Sequence, residues 1–315
     1  MLISKTTLSL VCFSILAAFS GTLYGQVEPE RTGIAQAEFS IGNLTIQHQF
    51  KSIKQLPDQA SLTASNHLKA LGTSSNFGRI DVRGGRWSML MMSKPLIPGD
   101  GKGNKLRWSS LTQSAPSTAA EIKSEADRAV RNFIGDFSQA LSIDQNELAP
   151  QGKVTIHEGS DTIQLYLPRV YRGVKVHNSY VTATINHGNL TLFGANDWGD
   201  IEVSTKPKIT ETAARSSVQS HVADYAITGY WKKSELILLP LQKNADPNSN
   251  PVGQGYEHRL AWVIRPSFDN VMQNYEAFVD AHSGEILSFK DTNQYVTSRR
   301  EVKGGVLPVT NDGVV

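Results

Sequence analysis

Histidine and glutamate spacing is the first place where this sequence could carry catalytic chemistry. A hydrolytic zinc site on a helix needs two histidines four residues apart, with a glutamate beside the first to activate the metal-bound water. No two of the eight histidines have that spacing; they are His48, His67, His157, His177, His187, His221, His258 and His282. The nearest approach is His157-Glu158, which Gly-Ser-Asp follows. That pair therefore predicts a polar turn between strands, and the sequence predicts no metal ligand.

Two further clusters could carry chemistry, and both are interpreted as turns. Asp197 and Asp200 flank Trp198-Gly199; a calcium site is one alternative there, and the polarity of a surface turn is the favoured interpretation. The glycine-rich run 99–103 lacks the strand-to-helix context of a phosphate-binding loop. The chain also has no Gly-x-Ser-x-Gly motif, and its one cysteine is Cys12. The sequence therefore predicts no catalytic residue, no cofactor-binding residue and no cofactor in this chain.

Residues 1–25 have the layout of a secretory signal peptide. Lys5 precedes an uncharged apolar stretch from Leu8 to Phe19, and small residues follow at Ser20 and Gly25. The stretch is shorter than the ~20 residues of a membrane span, so an uncleaved anchor is the less favoured alternative. We expect cleavage after Ser20 or Gly25, a secreted or periplasmic location, and no membrane contact once the signal is removed.

The composition of the chain is that of a folded soluble protein. Hydrophobic residues make up 39% and charged residues 19%, which excludes a wholly disordered chain. A net charge of +2 does not favour a nucleic-acid partner. Because no cysteine follows the signal peptide, no disulfide is expected, and the apolar core must stabilise the fold by itself.

The apolar spacing predicts two units of the same order. Thr118 and Glu121 form a capping box for a helix over 118–141, and alternating strands follow around 162–167, 180–185 and 190–192. Thr210 then caps a second helix over 210–226, followed by strands at 235–241, 258–265, 274–280 and 285–289. A helix laid on one face of an antiparallel sheet is an α+β unit. The predicted fold class is therefore α+β, with two consecutive helix-plus-antiparallel-sheet units.

These units predict a domain organisation for the whole chain. Residues 26–117 form an N-terminal region of unknown role, with a β-hairpin around Gly84-Gly85. The two α+β units span 118–206 and 207–291. Residues 292–315 mix basic residues and glycines without a helical face, and they predict an extended linker.

Two motifs carry a resemblance to known families. Val-Asp-Ala-His-Ser-Gly-Glu-Ile-Leu at 279–287 resembles the last hairpin of the PepSY domain. Tyr-Arg-Gly-Val-Lys-Val at 171–176, followed by strand, turn and strand, resembles the fungalysin/thermolysin propeptide (FTP) motif. Together they cover about 118–291, and they imply that both units are cystatin-like.

The residues of these motifs predict structural roles. Gly173 and Gly284 supply turn glycines, and Asp280 is expected to accept turn hydrogen bonds from backbone amides. Leu260, Trp262 and Ile264 are expected to pack in the core.

The resemblance implies a pro-region of a secreted zinc metalloprotease precursor. Such a region acts as intramolecular chaperone and inhibitor of a catalytic domain in cis, which is where zinc and His-Glu-x-x-His are expected. The end at Val315 predicts that this chain is a fragment lacking that domain, and not itself an enzyme. The alternative is a free-standing exported PepSY-type module that binds or inhibits a separate peptidase in trans.

Overall fold

The computed structural model describes residues 33–73, 77–97, 119–157 and 162–293. The predicted signal peptide, the glycine-rich run 99–103, Thr118 of the predicted capping box and nearly all of the predicted linker 292–315 lie outside these residues. Within the described ranges, no helix has both the length and the apolar character needed to cross a membrane.

The described residues form four α-helices, and the single helix predicted over 118–141 is divided in two at Phe137. They are α1 (Asp58–Ala70), α2 (Ala119–Asp136), α3 (Ser138–Leu141) and α4 (Glu211–Val222). One face of α2 is buried at spacings of three and four residues, through Ile122, Ala126, Val130, Phe133 and Ile134. The amide of Ala213 donates to the Thr210 hydroxyl at 3.2 Å, so the predicted cap of α4 is confirmed. That helix ends earlier than predicted, because Ala223 leaves the helical conformation at φ 31°.

The described residues also form fourteen strands. They are β1 (Phe39–Ser40), β2 (Phe50–Lys51), β3 (Arg79–Asp81), β4 (Trp87–Pro95), β5 (Lys153–His157), β6 (Thr162–Tyr171), β7 (Val174–Asn186), β8 (Asn189–Asn196), β9 (Ile227–Tyr230), β10 (Glu235–Gln242), β11 (Tyr256–Ile264), β12 (Pro266–Phe268), β13 (Tyr275–Asp280) and β14 (Ile286–Asp291). The predicted hairpin around Gly84-Gly85 is present as β3 and β4. The sequence prediction missed β1, β2, β5, β9 and β12.

Twelve of these strands form one sheet, in the order β1-β14-β13-β11-β10-β7-β8-β4-β3-β2, with β6 and β5 branching from β7. Strand β7 belongs to both halves of that sheet. Its later part pairs with β8, whereas Lys175 and Val176 pair in parallel with β10. Asn178, at φ 52°, lies between the two parts. Because β7 is shared, the two predicted helix-plus-sheet arrangements are joined by backbone hydrogen bonds.

The two halves of the sheet are covered differently. Helices α1, α2 and α3 pack on one face of β4 to β8 and share one apolar core with it. Helix α4 packs on one face of β11, β13 and β14, and Ile41 and Leu44 pack on the opposite face. The fold class is α+β, as predicted, while the domain boundaries stay a prediction.

The motif residues occupy the expected turns and strands. Gly173 and Gly284 both have φ 83°, a conformation that favours glycine. The amides of His282 and Ser283 donate to Asp280 Oδ1 at 2.8 and 2.9 Å, as predicted. Leu260 and Ile264 are fully buried. Trp262 is only half-buried, although it packs against two apolar clusters and its Nε1 donates to the carbonyl of Ile209 at 3.2 Å.

Candidate functional site

The tip of the β3–β4 hairpin lies between the two halves of the sheet. The amide of Val82 donates to the carbonyl of Gln49 at 2.9 Å. On the other side, the amides of Gly253 and Gly255 donate to the carbonyls of Val82 and Arg83, both at 2.9 Å. The tip is therefore held by backbone hydrogen bonds to the segment before β2 and to the loop before β11.

Two buried carboxylates meet one tyrosine at this tip. The Tyr256 hydroxyl lies 3.0 Å from Asp81 Oδ2 and 3.0 Å from Asp197 Oδ1. Asp81 also accepts hydrogen bonds from the amides of Arg83 and Gly84, at 3.2 and 3.1 Å. All three residues are less than a tenth exposed: Asp81 5%, Asp197 7% and Tyr256 8%. We call Asp81, Arg83, Asp197, Tyr256 and the adjoining His48 the polar junction.

Burial sets the protonation of the polar junction. It raises the pKa of Asp197, and the negative charge of Asp81 adds to that rise, while His48 and the Tyr256 hydroxyl oppose it. Burial and the two carboxylates also raise the pKa of Tyr256, so its hydroxyl keeps its proton. His48 Nε2 lies 3.5 Å from Asp197 Oδ1 and forms an ion pair with it only when protonated.

The charge of Arg83 is balanced by dipoles. Its guanidinium is fully buried and donates to the carbonyls of Gln47, Asn244 and Ala245 at 2.7 to 2.8 Å, and to Gln242 Oε1 at 3.1 Å. Burying a guanidinium is costly unless hydrogen bonds replace those it made with water. The partners of Arg83 come from two segments that are distant in sequence, one at Gln47 and the other at 242–245. Arg83 therefore fixes the segment before β2 against the loop after β10.

A second buried cation lies beyond Trp198. The Arg169 guanidinium donates to Glu147 Oε2 and to the carbonyl of Gly199, and it stacks over the Trp198 ring at 4.3 Å. Its charge and, above all, burial lower the pKa of His258 to about 4. His258 is therefore neutral at neutral pH.

Glycines allow the close approach of these segments. A Cβ on Gly199 would lie 2.5 Å from the Cβ of Tyr256, and one on Gly255 would lie 2.8 Å from the Cα of Arg83. A Cβ on Gly84 would lie 2.8 Å from the carbonyl oxygen of Trp198. Such distances leave no room for a side chain at these three positions, so the segments can meet this closely only with glycine there.

The structure separates the residues that the sequence singled out. Asp197 is buried in the polar junction, whereas Asp200 is exposed and forms an ion pair with Arg86 at 2.5 Å. His157 ends β5, with Nε2 3.1 Å from Gln164 Oε1, and Glu158 lies outside the described residues. Among the described residues, no group of three or more His, Cys, Asp or Glu side chains could hold a metal ion.

A cavity of about 580 Å³ lies beside the hairpin tip, between α1 and the loop 251–254. Its walls are mainly apolar and include Leu56, Ala60 and Trp87. The Arg86–Asp200 ion pair lines it, and Arg86 also donates to the carbonyls of Ser142 and Gly84. The size of the cavity suits a small ligand. Arg86, however, is already paired with Asp200 and with backbone carbonyls.

The face of β4 to β8 opposite α2 carries few charged side chains among the described residues. No described helix packs on it. Its side chains, which we call the open face, are Met89, Met91, Thr155, Gln164, Tyr166, Tyr180, Thr182, Thr184 and Leu192. The strand register places Met91, Leu192, Thr184, Gln164 and Thr155 in one row across five strands.

Aromatic and thioether groups are the most exposed apolar parts of the open face. The side chains of Met91, Met89 and Tyr166 are 45%, 36% and 39% exposed. The Tyr166 and Tyr180 rings lie 4.6 Å apart, and Lys153 stands at the β5 end of the next row. A sheet face exposed to solvent usually carries charged side chains, whereas Tyr and Met are enriched in protein interfaces.

Sequence reasoning missed most of both sites. It found the Gly84-Gly85 turn and Asp197, but it did not connect them with Tyr256 or His48. The sequence did contain one signal. Two arginines, Arg83 and Arg86, flank the Gly84-Gly85 turn, and such a turn can carry buried polar groups. The alternation of Gln164 and Tyr166 with apolar residues predicted a strand with one polar side, but not that this side stays uncovered.

Comparisons with known proteins give no family for the chain. No family model matches it, and no curated protein matches it. Among solved structures, it is similar to the Bacillus megaterium YpeB C-terminal domain at 12% identity, over 75% of this chain and 97% of that one, with a TM-score of 0.29. At that TM-score the similarity carries no argument, and the resemblance to PepSY and FTP propeptides stays a prediction from the motifs.

Proposed function

We propose that this chain is the pro-region of a secreted zinc metallopeptidase precursor, and that it binds the peptidase domain through the open face as chaperone and inhibitor. The observation that carries the proposal is the open face itself. It spans five strands with Thr, Tyr, Met, Gln and Leu side chains and without a carboxylate. The resemblance of the 171–176 and 279–287 motifs to FTP and PepSY motifs is the reason for proposing a peptidase as the partner.

The chemistry of the open face suits a protein partner. Apolar and aromatic groups with few charges form the well-packed centre of interfaces, because little desolvation of charge opposes their burial. A rigid sheet also loses little conformational entropy on binding, since its backbone is already ordered.

The size of the open face implies that the contact extends beyond it. Five strands about 4.8 Å apart make a patch roughly 20 Å across. A stable interface buries ~800 Å² on each partner, which is more than a patch of that width provides. The predicted linker 292–315 would add to binding by tethering the peptidase domain and raising its effective concentration.

The decisive experiment measures inhibition with charge-insertion variants. Purified pro-region is titrated into the mature peptidase that the downstream reading frame encodes, with wild type, Tyr166→Glu and Leu62→Glu compared. Leu62 is 57% exposed on α1, away from the open face, so it controls for the added charge. We expect the inhibition constant to rise at least tenfold for Tyr166→Glu and to stay unchanged for Leu62→Glu.

Two results would count against the proposal. Equal inhibition by both variants would remove the open face as the docking surface. A downstream frame without His-Glu-x-x-His would contradict the cis role and favour the free-standing module acting in trans.

A further inference from the structure

We propose that Asp81, Tyr256 and Asp197 form a proton-dependent contact between three segments of the chain. The contact is tight while Asp197 carries a proton, and it loosens when that proton is lost. This inference does not depend on the proposed function, because it rests on the geometry of the polar junction alone.

The proton count follows from the distances. The Tyr256 hydroxyl has one proton but lies 3.0 Å from an oxygen of each carboxylate. A hydroxyl donates fully to one acceptor. While Asp197 is ionised, the Tyr256 proton therefore serves only one of the two carboxylates, and the other carboxylate faces a lone pair of the phenol. If Asp197 is protonated, it donates to Tyr256 Oη, and both contacts are favourable.

The three residues belong to three separate segments of the chain, which Arg83, Arg86 and backbone hydrogen bonds also connect. Asp81 ends β3 in the N-terminal region, Asp197 follows β8, and Tyr256 begins β11. Losing one favourable contact at their meeting point therefore weakens the attachment of the hairpin tip to both halves of the sheet.

The sign of the pH dependence follows from burial. The pKa of Asp197 is raised in the folded protein above its ordinary value of 3.8. A raised folded pKa gives stability that is complete below the unfolded value and is lost as pH rises through the folded value. The polar junction should therefore loosen as pH rises from about 4 towards neutrality.

Neighbouring charged groups also affect this contact, and their effect on its opening must be distinguished from that of the Asp197 proton. His48 faces Asp197 from the segment before β2, and Arg83 follows Asp81 in the hairpin. Arg86, Asp200, Arg169 and His258 form the next layer. His258 has the opposite sign: its pKa falls from 6.5 to about 4, so its contribution is present above 6.5 and lost as pH falls through about 4.

Hydrogen exchange of the full chain tests the inference. Opening constants are measured by mass spectrometry between pH 4 and pH 8 for peptides covering 79–87 and 253–258. Asp197→Asn is the key variant, because its carboxamide donates to Tyr256 Oη at every pH, as a protonated carboxyl would. The ratio of wild-type to Asp197→Asn opening constants cancels the intrinsic exchange rate and the contribution of His258.

We expect this ratio to rise at least about threefold from pH 4 to pH 8. The control Asp200→Asn, which alters the exposed carboxylate paired with Arg86, should keep the wild-type profile. A ratio that stays constant with pH overturns the inference, and so does a control that changes the profile as much as Asp197→Asn does.

A second measurement decides the matter if Asp197→Asn does not fold. Infrared spectra of the wild-type protein should contain the C=O stretch of a protonated carboxyl, and this band should disappear over the pH range in which peptides 79–87 and 253–258 open. A band that titrates in a different range from the opening contradicts the inference.

Discussion

Replacing Phe133 by alanine tests the core that joins α2 to the sheet. Phe133 is 2% exposed, and its ring contacts those of Phe137 and Phe193 at centroid distances of 5.2 and 5.8 Å. Truncating a fully buried phenylalanine costs about 3–5 kcal/mol, through lost burial and the cavity that remains. Each ring contact is worth ~0.5–1.5 kcal/mol. We therefore expect the loss for Phe133→Ala to lie in the upper part of that range.

Urea unfolding monitored by tryptophan fluorescence measures this loss, with the slope of free energy against urea checked for constancy. Phe137→Ala is the matched control, because Phe137 is half-buried and its ring also lies under the Lys94 ammonium at 4.1 Å. We expect it to lose less than half as much. A loss below about 1 kcal/mol for Phe133→Ala, or a larger loss for the control, would refute the packing described for α2.

Three further predictions concern the cap, the close approach and the metal. Thr210→Ala should destabilise the chain by about 1 kcal/mol, because the Ala213 amide loses its acceptor; thermal unfolding measures it. Gly199→Ala should cost about 1–3 kcal/mol, because its Cβ displaces the Tyr256 side chain, whereas Gly42→Ala enters open space and should change unfolding little. Elemental analysis after dialysis should find well below one zinc ion per chain; stoichiometric zinc would contradict the prediction that this chain has no metal ligand.

Local features were predictable, because the residues that determine them are close in sequence. The face of α2 recurs every three or four residues, the Thr210 cap needs only the next three residues, and the turn at Asp280 is closed by its own carboxylate. Such features depend on backbone geometry over a single turn or hairpin.

Long-range pairings could not be predicted in the same way. Strand β5 carries a weak pattern, because Lys153 and His157 frame only three residues of alternation. The parallel pairing of Lys175 and Val176 with β10 depends on which strands become neighbours. The polar junction combines Asp81, Asp197 and Tyr256, which come from three different parts of the chain, and no local pattern indicates that they meet.

The pairing of β1 with β14 sets the order in which the sheet can be completed. The Ser288 hydroxyl donates to the carbonyl of Phe39 across 249 positions of sequence, and Phe39 and Ser40 pair with Phe289 and Ser288. During synthesis the first of these strands is made early, and its partner is made about 249 positions later. The edge of β14 therefore receives its neighbour only after nearly the whole described chain exists, and a nascent chain stopped before residue 286 keeps the residues of β1 without their partner strand.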